Sequence, residues 1–347
     1  MNAPHPTILD YPFTAPPAPA STLAVGPGIA WLRMPLPFAL DHINLWLLAE
    51  TEGFTLVDCG IGDEPTRTLW TRLLADFCGG RPIGRIVATH FHPDHLGNAA
   101  WLAAKFGCPV HMTQTEYLTA HAVRHGFASY TTDATCALFQ AHGMADADAA
   151  ALRARGNQYA RGVPEVPGRF ARMLAGDRLT LGGNAWLIIP GFGHAPEHAS
   201  LYAAKLGILI SGDMLLPRIS TNVSVWPAEP DGDPLARFLA SLDAFEALPA
   251  DTLVLPSHGL PFRGIAARVA QLRAHHAARL AELETAIHDA LGPMDAATLL
   301  PVLFRRELDL QQRYFAMGEA IAHLNHLWLA QRIRRNVDTA GNIRFCA

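Results

Sequence analysis

The segment Thr89-His90-Phe91-His92-Pro93-Asp94-His95 places four metal-binding side chains within six residues. Imidazole nitrogens and carboxylate oxygens together suit zinc and its first-row neighbours. On an extended segment side chains repeat every two residues, so His90 and His92 project the same way. Asp94 and His95, at the turn into a following helix, can then face a second, neighbouring metal. A lone His-x-His is commonly two surface histidines. His-x-His-x-Asp-His directly after an apolar strand is a far more specific pattern, and its context decides its meaning.

A two-metal site needs further ligands, including a carboxylate to bridge the ions. Three later segments supply candidates at the ends of predicted strands: Gly193-His194, Gly212-Asp213 and Ser257-His258-Gly259. Each sets a polar side chain beside a glycine, where the backbone can crowd around a ligand.

The elements that must position these residues can be read from the apolar pattern. Strands are predicted over 43–49 and 54–58, with Glu52-Gly53 as the turn between them, and a helix over 63–77. A short buried strand at 85–89 runs into the histidine cluster, and a helix resumes at 98–106. Residues 113–172 read as a helical insertion broken at Gly126, Gly143, Gly156 and Gly162. Strands follow over 177–181, 185–190, 200–204 and 208–211, then a helix over 234–248 and a strand over 252–255. A long amphipathic helix spans 264–291 and ends at Gly292-Pro293. Two more helices, 295–304 and 311–332, precede a tail in which Ile343 and Phe345 suggest a short wing. The resulting division is an extended, proline-rich N-terminal arm at 1–22, a catalytic domain at 23–262 and a C-terminal helical domain at 263–347.

Composition sets the outer limits. At 347 residues, 50% apolar and 17% charged, the chain can bury a substantial core. A net charge of −4 gives no sign of a protein drawn to nucleic acid or membrane surfaces. The five scattered cysteines include no Cys-x-x-Cys pair, which fits a reducing compartment. No basic start precedes an apolar run, and no stretch approaches ~18 uninterrupted apolar residues. A cytoplasmic location with no membrane contact is the expectation.

Taken together, the ligand segments resemble those of the metallo-β-lactamase superfamily, over about residues 40–262. That resemblance implies an α/β fold, the αββα sandwich, with the metals at one edge between two sheets. It casts His90, His92 and His194 as ligands of a first metal, and Asp94, His95 and His258 as ligands of a second. Asp213 becomes the bridge, and Asp58, in Val57-Asp58-Cys59-Gly60, a support behind the ligands. His198, four residues after His194, reads as a neighbour of the ligands rather than one of them. Two divalent ions, zinc first with iron or manganese as alternatives, would lower the pKa of a bridging water to give a hydroxide near neutral pH. Asp94 would orient it and take its proton.

Within the superfamily, His92 separates the chain from the flavodiiron type, which resembles this pattern but carries a carboxylate there. Persulfide dioxygenases share His-x-His-x-Asp-His yet use a single iron, which keeps an oxidoreductase as one alternative. Glyoxalase II, the thioesterase relative, has a basic, tyrosine-bearing stretch after the bridge; here 214–222 holds neither Lys nor Tyr. Acyl-homoserine-lactone lactonases place a tyrosine three residues after the bridge, where this chain has Leu216. The chain most resembles β-lactamase-like proteins with a helical, winged-helix-like C-terminal segment, on Pro256-Ser257-His258-Gly259 and Gly318-Glu319-Ala320-Ile321-Ala322-His323-Leu324. Some of those are endoribonucleases. From residue 300 on there are seven Arg against four acidic residues, a mild excess that keeps nucleic acid as a second choice of partner. The leading expectation is hydrolysis of a small ester, thioester or lactone. His42, Asn44, Arg218, Asn222 and Trp226 are candidates to line the pocket, and the helical insertion is a candidate roof or homodimer interface.

Overall fold

The computed structural model describes residues 9–347. The start of the predicted arm, residues 1–8, lies outside them. Past that point the arm packs on the body: Leu9 is buried, Asp10 pairs with Arg263, and the Phe13 ring meets Trp31 edge-on.

Two sheets face each other. The first runs in chain order, β1 (Leu23–Gly26), β2 (Ile29–Pro35), β3 (His42–Glu50), β4 (Gly53–Val57), β5 (Ile83–Val87), β6 (Val110–Met112) and β7 (Ala171–Arg172). It is antiparallel through β4 and parallel beyond. The second has the order β12 (Leu253–Pro256), β11 (Ile208–Gly212), β10 (His198–Ala203), β9 (Asn184–Gly191) and β8 (Arg178–Leu181), with only β11 and β12 parallel. Helices α1 (Glu64–Asp76), α2 (Pro93–Leu96) and α3 (Ala99–Phe106) belong to the first sheet's side. Asp63 caps α1 by accepting the Thr66 N–H, and a proline in the first turn needs no hydrogen bond there.

The predicted insertion consists of α4 (Gln114–His125), α5 (Thr132–Ala141), α6 (Asp146–Arg155) and α7 (Gln158–Gly162). Helix α8 (Pro234–Glu246) crosses the outer face of the second sheet, joined by α9 (Ile265–Asp289), α10 (Ala296–Leu303) and α11 (Leu310–Leu329). The wing is present as a hairpin of β13 (Arg334–Val337) and β14 (Ile343–Cys346).

The apolar residues fall into two layers that match this arrangement. Trp31, Trp46, Val87, Trp186, Leu201 and Ile210 belong to one buried cluster that spans the two sheets and continues through Leu56 to Trp70 of α1 behind the first sheet. Leu209, Val254, Phe238, Phe245, Leu272 and Ile321 form the second layer, between the second sheet and the C-terminal helices. The αββα sandwich with a C-terminal helical segment is therefore as expected. Two pieces were not foreseen: β1 and β2, over residues left unassigned in the sequence, and the edge strands β6 and β7, the first likewise unassigned and the second at the end of the stretch read as a helical insertion. Residues of β2 are buried on both faces because α1 packs behind it, so the strand lacks the alternation that marks a half-exposed one.

Candidate metal centre

Each predicted ligand sits just beyond a strand, and those strand ends lie at one edge of the sandwich. β5 leads into His90 and His92, and Pro93 opens α2, which carries Asp94 and His95. β9 leads to His194, β11 to Asp213 and β12 to His258. Three groups of potential ligand atoms result, each within 4.8 Å: His90 with His92 and His194, Asp94 with His95 and His258, and His90 with His95 and Asp213.

Asp213 links the two sides. Its Oδ2 lies 3.3 Å from His194 Nε2, whereas Oδ1 lies 3.5 Å from both His95 Nε2 and His258 Nε2. Asp94 Oδ2 is 3.6 Å from His95 Nε2 and 3.5 Å from His258 Nε2. Donors about 2.1 Å from one ion at tetrahedral angles lie about 3.4 Å apart, so these spacings are those of ligand sets.

The rest of the chain holds the rings in the tautomers that metal binding needs. Asp58 Oδ2 accepts from His95 Nδ1 at 2.8 Å, the backbone carbonyl of Asn222 accepts from His194 Nδ1 at 2.8 Å, and that of His42 accepts from His258 Nδ1 at 2.7 Å. In each case Nε2 is left free to face the centre. Asp58 also accepts from the Thr89 N–H and hydroxyl, and it does so from the left-handed backbone region with φ 59°, a conformation costly for a residue with a Cβ.

Charge and burial together ask for cations. Burial, reinforced by neighbouring imidazoles, holds His90 and His92 well below the usual histidine range, so both are neutral donors. Burial opposes protonation of His95 too, yet Asp58, Asp94 and Asp213 override it and push His95 well up. His258 is raised against its burial by Asp213 and Asp94. Three carboxylates thus draw positive charge onto the buried His95 and His258 rings. His95 Nε2 and Asp213 Oδ1, 3.5 Å apart, are buried and lack a hydrogen-bond partner among the described residues. A divalent ion satisfies both, and the donor set fits one.

Close backbone packing is needed as well. Gly212, at φ +54°, lies against His198, and a Cβ there would fall 2.1 Å from His198 Nε2. That same nitrogen accepts the Asp213 N–H at 3.2 Å, so His198 steers Asp213 through its backbone and stands outside the ligand groups.

The other candidates divide. His42 caps the His258 loop, with its carbonyl on His258 and its Nε2 accepting the Gly259 N–H at 2.9 Å. Asn44 is fully buried and binds the carbonyls of Pro256 and Gly259. Arg218 is exposed, with no side-chain partner among the described residues, and Trp226 packs toward Tyr314. Asn222 acts through its carbonyl.

Sequence reading missed Glu116 of α4. It is fully buried; its Oε2 accepts the Phe91 N–H at 2.9 Å and its Oε1 the Glu197 N–H at 2.6 Å. One carboxylate therefore clamps the loop bearing His90 and His92 to the loop that bears His194 and leads into His198. Tyr159 assists by donating to the Phe91 carbonyl at 2.7 Å. No local signal marks these residues, because their partners lie far away in sequence.

Comparison with known proteins agrees with this geometry. Residues 39–258 match the family described as the Metallo-beta-lactamase superfamily, and residues 280–347 match the Metallo-beta-lactamase-like, C-terminal domain. A beta-lactamase domain protein from Burkholderia ambifaria is 47% identical with a TM-score of 0.90, over 97% of this chain and 98% of that one. A metallo-beta-lactamase family protein from Thermus thermophilus is 29% identical, TM-score 0.78, over 93% and 99%. The probable metallo-hydrolase YqjP of Bacillus subtilis (strain 168) is 25% identical over 305 residues, 85% of this chain and 91% of that protein. With its ligand groups gathered at one sheet edge and its two matched segments in order, the chain belongs to the metallo-beta-lactamase superfamily.

Proposed function

We propose that this metallo-hydrolase holds two divalent ions and cleaves a small ester, thioester or lactone. The division of Asp213 carries the reading: one carboxylate oxygen faces His194 and the other faces His95 and His258. Bound there, two divalent ions supply a water acidic enough to attack near neutral pH and a Lewis acid for the substrate's carbonyl oxygen. Zinc suits the nitrogen-rich donors best, with iron or manganese as alternatives. The chain's own part is to fix that chemistry in place. His90 and His92 stay neutral on one side, where the Asn222 carbonyl holds the His194 ring, while His95 and His258 are held by Asp58 and the His42 carbonyl on the other. Asp94, the more exposed of the two site carboxylates with 18% of its side chain accessible, is placed to accept a proton from the attacking water.

The C-terminal arginine excess supports a small-molecule substrate over nucleic acid. Arg305, Arg313, Arg332 and Arg335 are paired with Glu282, Asp148, Glu284 and Asp231. Those acids lie before residue 300, where a count of the tail does not include them. Cations already paired in this way are poorly placed to neutralise phosphates.

The test is a panel of esters, thioesters, lactones and phosphodiesters with metal analysis alongside. Wild-type protein is expected to bind about two equivalents of zinc and to cleave a carbonyl-centred substrate. Asp213→Ala is expected to lose at least ~100-fold in activity. An Asp213→Ala protein with full activity would refute the two-metal reading, and turnover of phosphodiesters alone would refute the substrate class.

A further inference from the structure

Residues 213–233, between β11 and α8, form a long stretch without regular structure. A loop of that length must anchor its backbone elsewhere, and it carries two elements of the centre, Asp213 and the Asn222 carbonyl that holds His194. Its anchors come largely from the C-terminal helices. Arg268 of α9 is buried and spends its guanidinium on the Leu216 and Ile219 carbonyls, at 2.5 and 2.7 Å. Asn325 of α11 donates to the Pro230 and Gly232 carbonyls at 2.9 and 3.0 Å.

The tightest stitching lies beside Asn222. The Gly318 carbonyl of α11 accepts the Val225 N–H at 3.1 Å, and Ser224 presses so close that a Cβ on Gly318 would fall 2.8 Å from its Oγ. Glu319, the next residue, accepts from Asn222 Nδ2 at 3.1 Å through Oε2, while Ser224 Oγ donates to Asn222 Oδ1 at 2.8 Å. Both ends of the Asn222 amide are therefore fixed, which fixes the peptide whose carbonyl sets the His194 ring.

We infer that Glu319 is a positioning residue of the metal centre: α11 reaches into the catalytic part and, through Asn222, aims His194 at the first ligand group. The inference rests on the reading of His194 as a metal ligand. It makes the C-terminal segment a component of the site rather than an appendage, and its effect should fall on one ion of the two. The His95 and His258 rings take their orientation from Asp58 and His42, which Glu319 does not touch.

The experiment titrates full-length, metal-stripped protein with zinc against a chromophoric chelator, which reads two successive affinities. In Glu319→Ala one zinc equivalent is expected to weaken ~10–100-fold, as is usual when a ligand's support is removed, with the other unchanged. Glu319→Gln keeps a carbonyl oxygen for Asn222 Nδ2 and should stay within about threefold of wild type, following the same rule. Asn222→Asp, titrated at about pH 8.5, above the value of about 7 to which burial raises the Glu319 carboxyl, sets two carboxylates against each other and should resemble Glu319→Ala. Adding Glu319→Gln to Asn222→Asp restores a donor–acceptor pair and should recover the lost affinity. This reciprocal rescue remains decisive even if the alanine variant folds poorly. Wild-type protein that binds no zinc would overturn the ligand reading and this inference together. Wild type binding two equivalents, with Glu319→Ala binding both equally well or with no rescue in the double variant, would overturn the inference alone.

Discussion

Replacing Glu116 with Gln probes the clamp between the two histidine-bearing loops. The wild-type carboxyl presents two oxygens to two backbone N–H groups, those of Phe91 and Glu197, and both oxygens can accept whether the group is neutral or ionised. Glutamine offers one oxygen and turns its NH2 toward the other N–H. One bond is lost and a buried donor is left unpaired, at a cost of about 2–4 kcal/mol. Burial, working against those N–H donors, pushes the Glu116 carboxyl up to about 7 from an ordinary 4.5. A carboxyl raised on folding binds more protons in the folded state between those values. Its contribution to stability is therefore retained below pH 4.5 and falls as pH rises toward 7. The full displacement corresponds to about 3 kcal/mol, an upper bound. The Gln variant lacks this slope, so its deficit relative to wild type should be largest near pH 5 and shrink by up to that amount at about pH 8. Denaturant unfolding of both proteins, stripped of metal, at the two pH values reads the difference, and the histidine titrations common to both cancel. A deficit that does not change with pH would refute the burial argument, and no deficit at either pH would refute the clamp.

Two further outcomes follow from the same geometry. Gly212→Ala forces a Cβ to 2.1 Å from His198 Nε2 at a positive φ, and should destabilise the protein by about 3 kcal/mol or more; an unchanged melting temperature would contradict the packing described. Zinc at about a thousand times its dissociation constant should stabilise the protein by about 4 kcal/mol over the chelated form, and identical melting curves with and without chelator would show that the ligand groups hold no metal.

The metal segment was the most legible part of the chain because its donors are local: His90 to His95 need only one strand end and one helical turn to face a common point. His194, Asp213 and His258 could be found because each follows an apolar strand and adjoins a glycine. The helix ends in the insertion were legible for a similar reason, with Gly126 and Gly156 each closing a helix at positive φ. Gly162 also marks a helix end, as the last residue of α7 packed against Pro93, without a positive φ. Glu116 and Arg268 could not be picked out, and Glu319 stood out only within the Gly318–Leu324 resemblance and not for its contacts, since an acid or a base on a helix reads as solvated until its partners are known. The tail arginines show the same blindness from the other side, their countercharges lying on elements that only folding brings near.

Asn44 bears on when the site can exist at all. It sits on β3, near the beginning of the catalytic part, and its amide grips carbonyls 212 and 215 residues further on. On a ribosome, β3 to β11 emerge before the strand that leads to His258, and parallel pairing of β12 beside β11 must wait for α8. Until then β3 has no His258 loop to hold, and the ligands already made are one short. Chains fold by units as they are synthesised, so this centre closes only once β12 has been made. The group of Asp94, His95 and His258 is thereby the last to be completed, and a chain cut short before β12 would carry His90, His92, His194 and Asp213 without it.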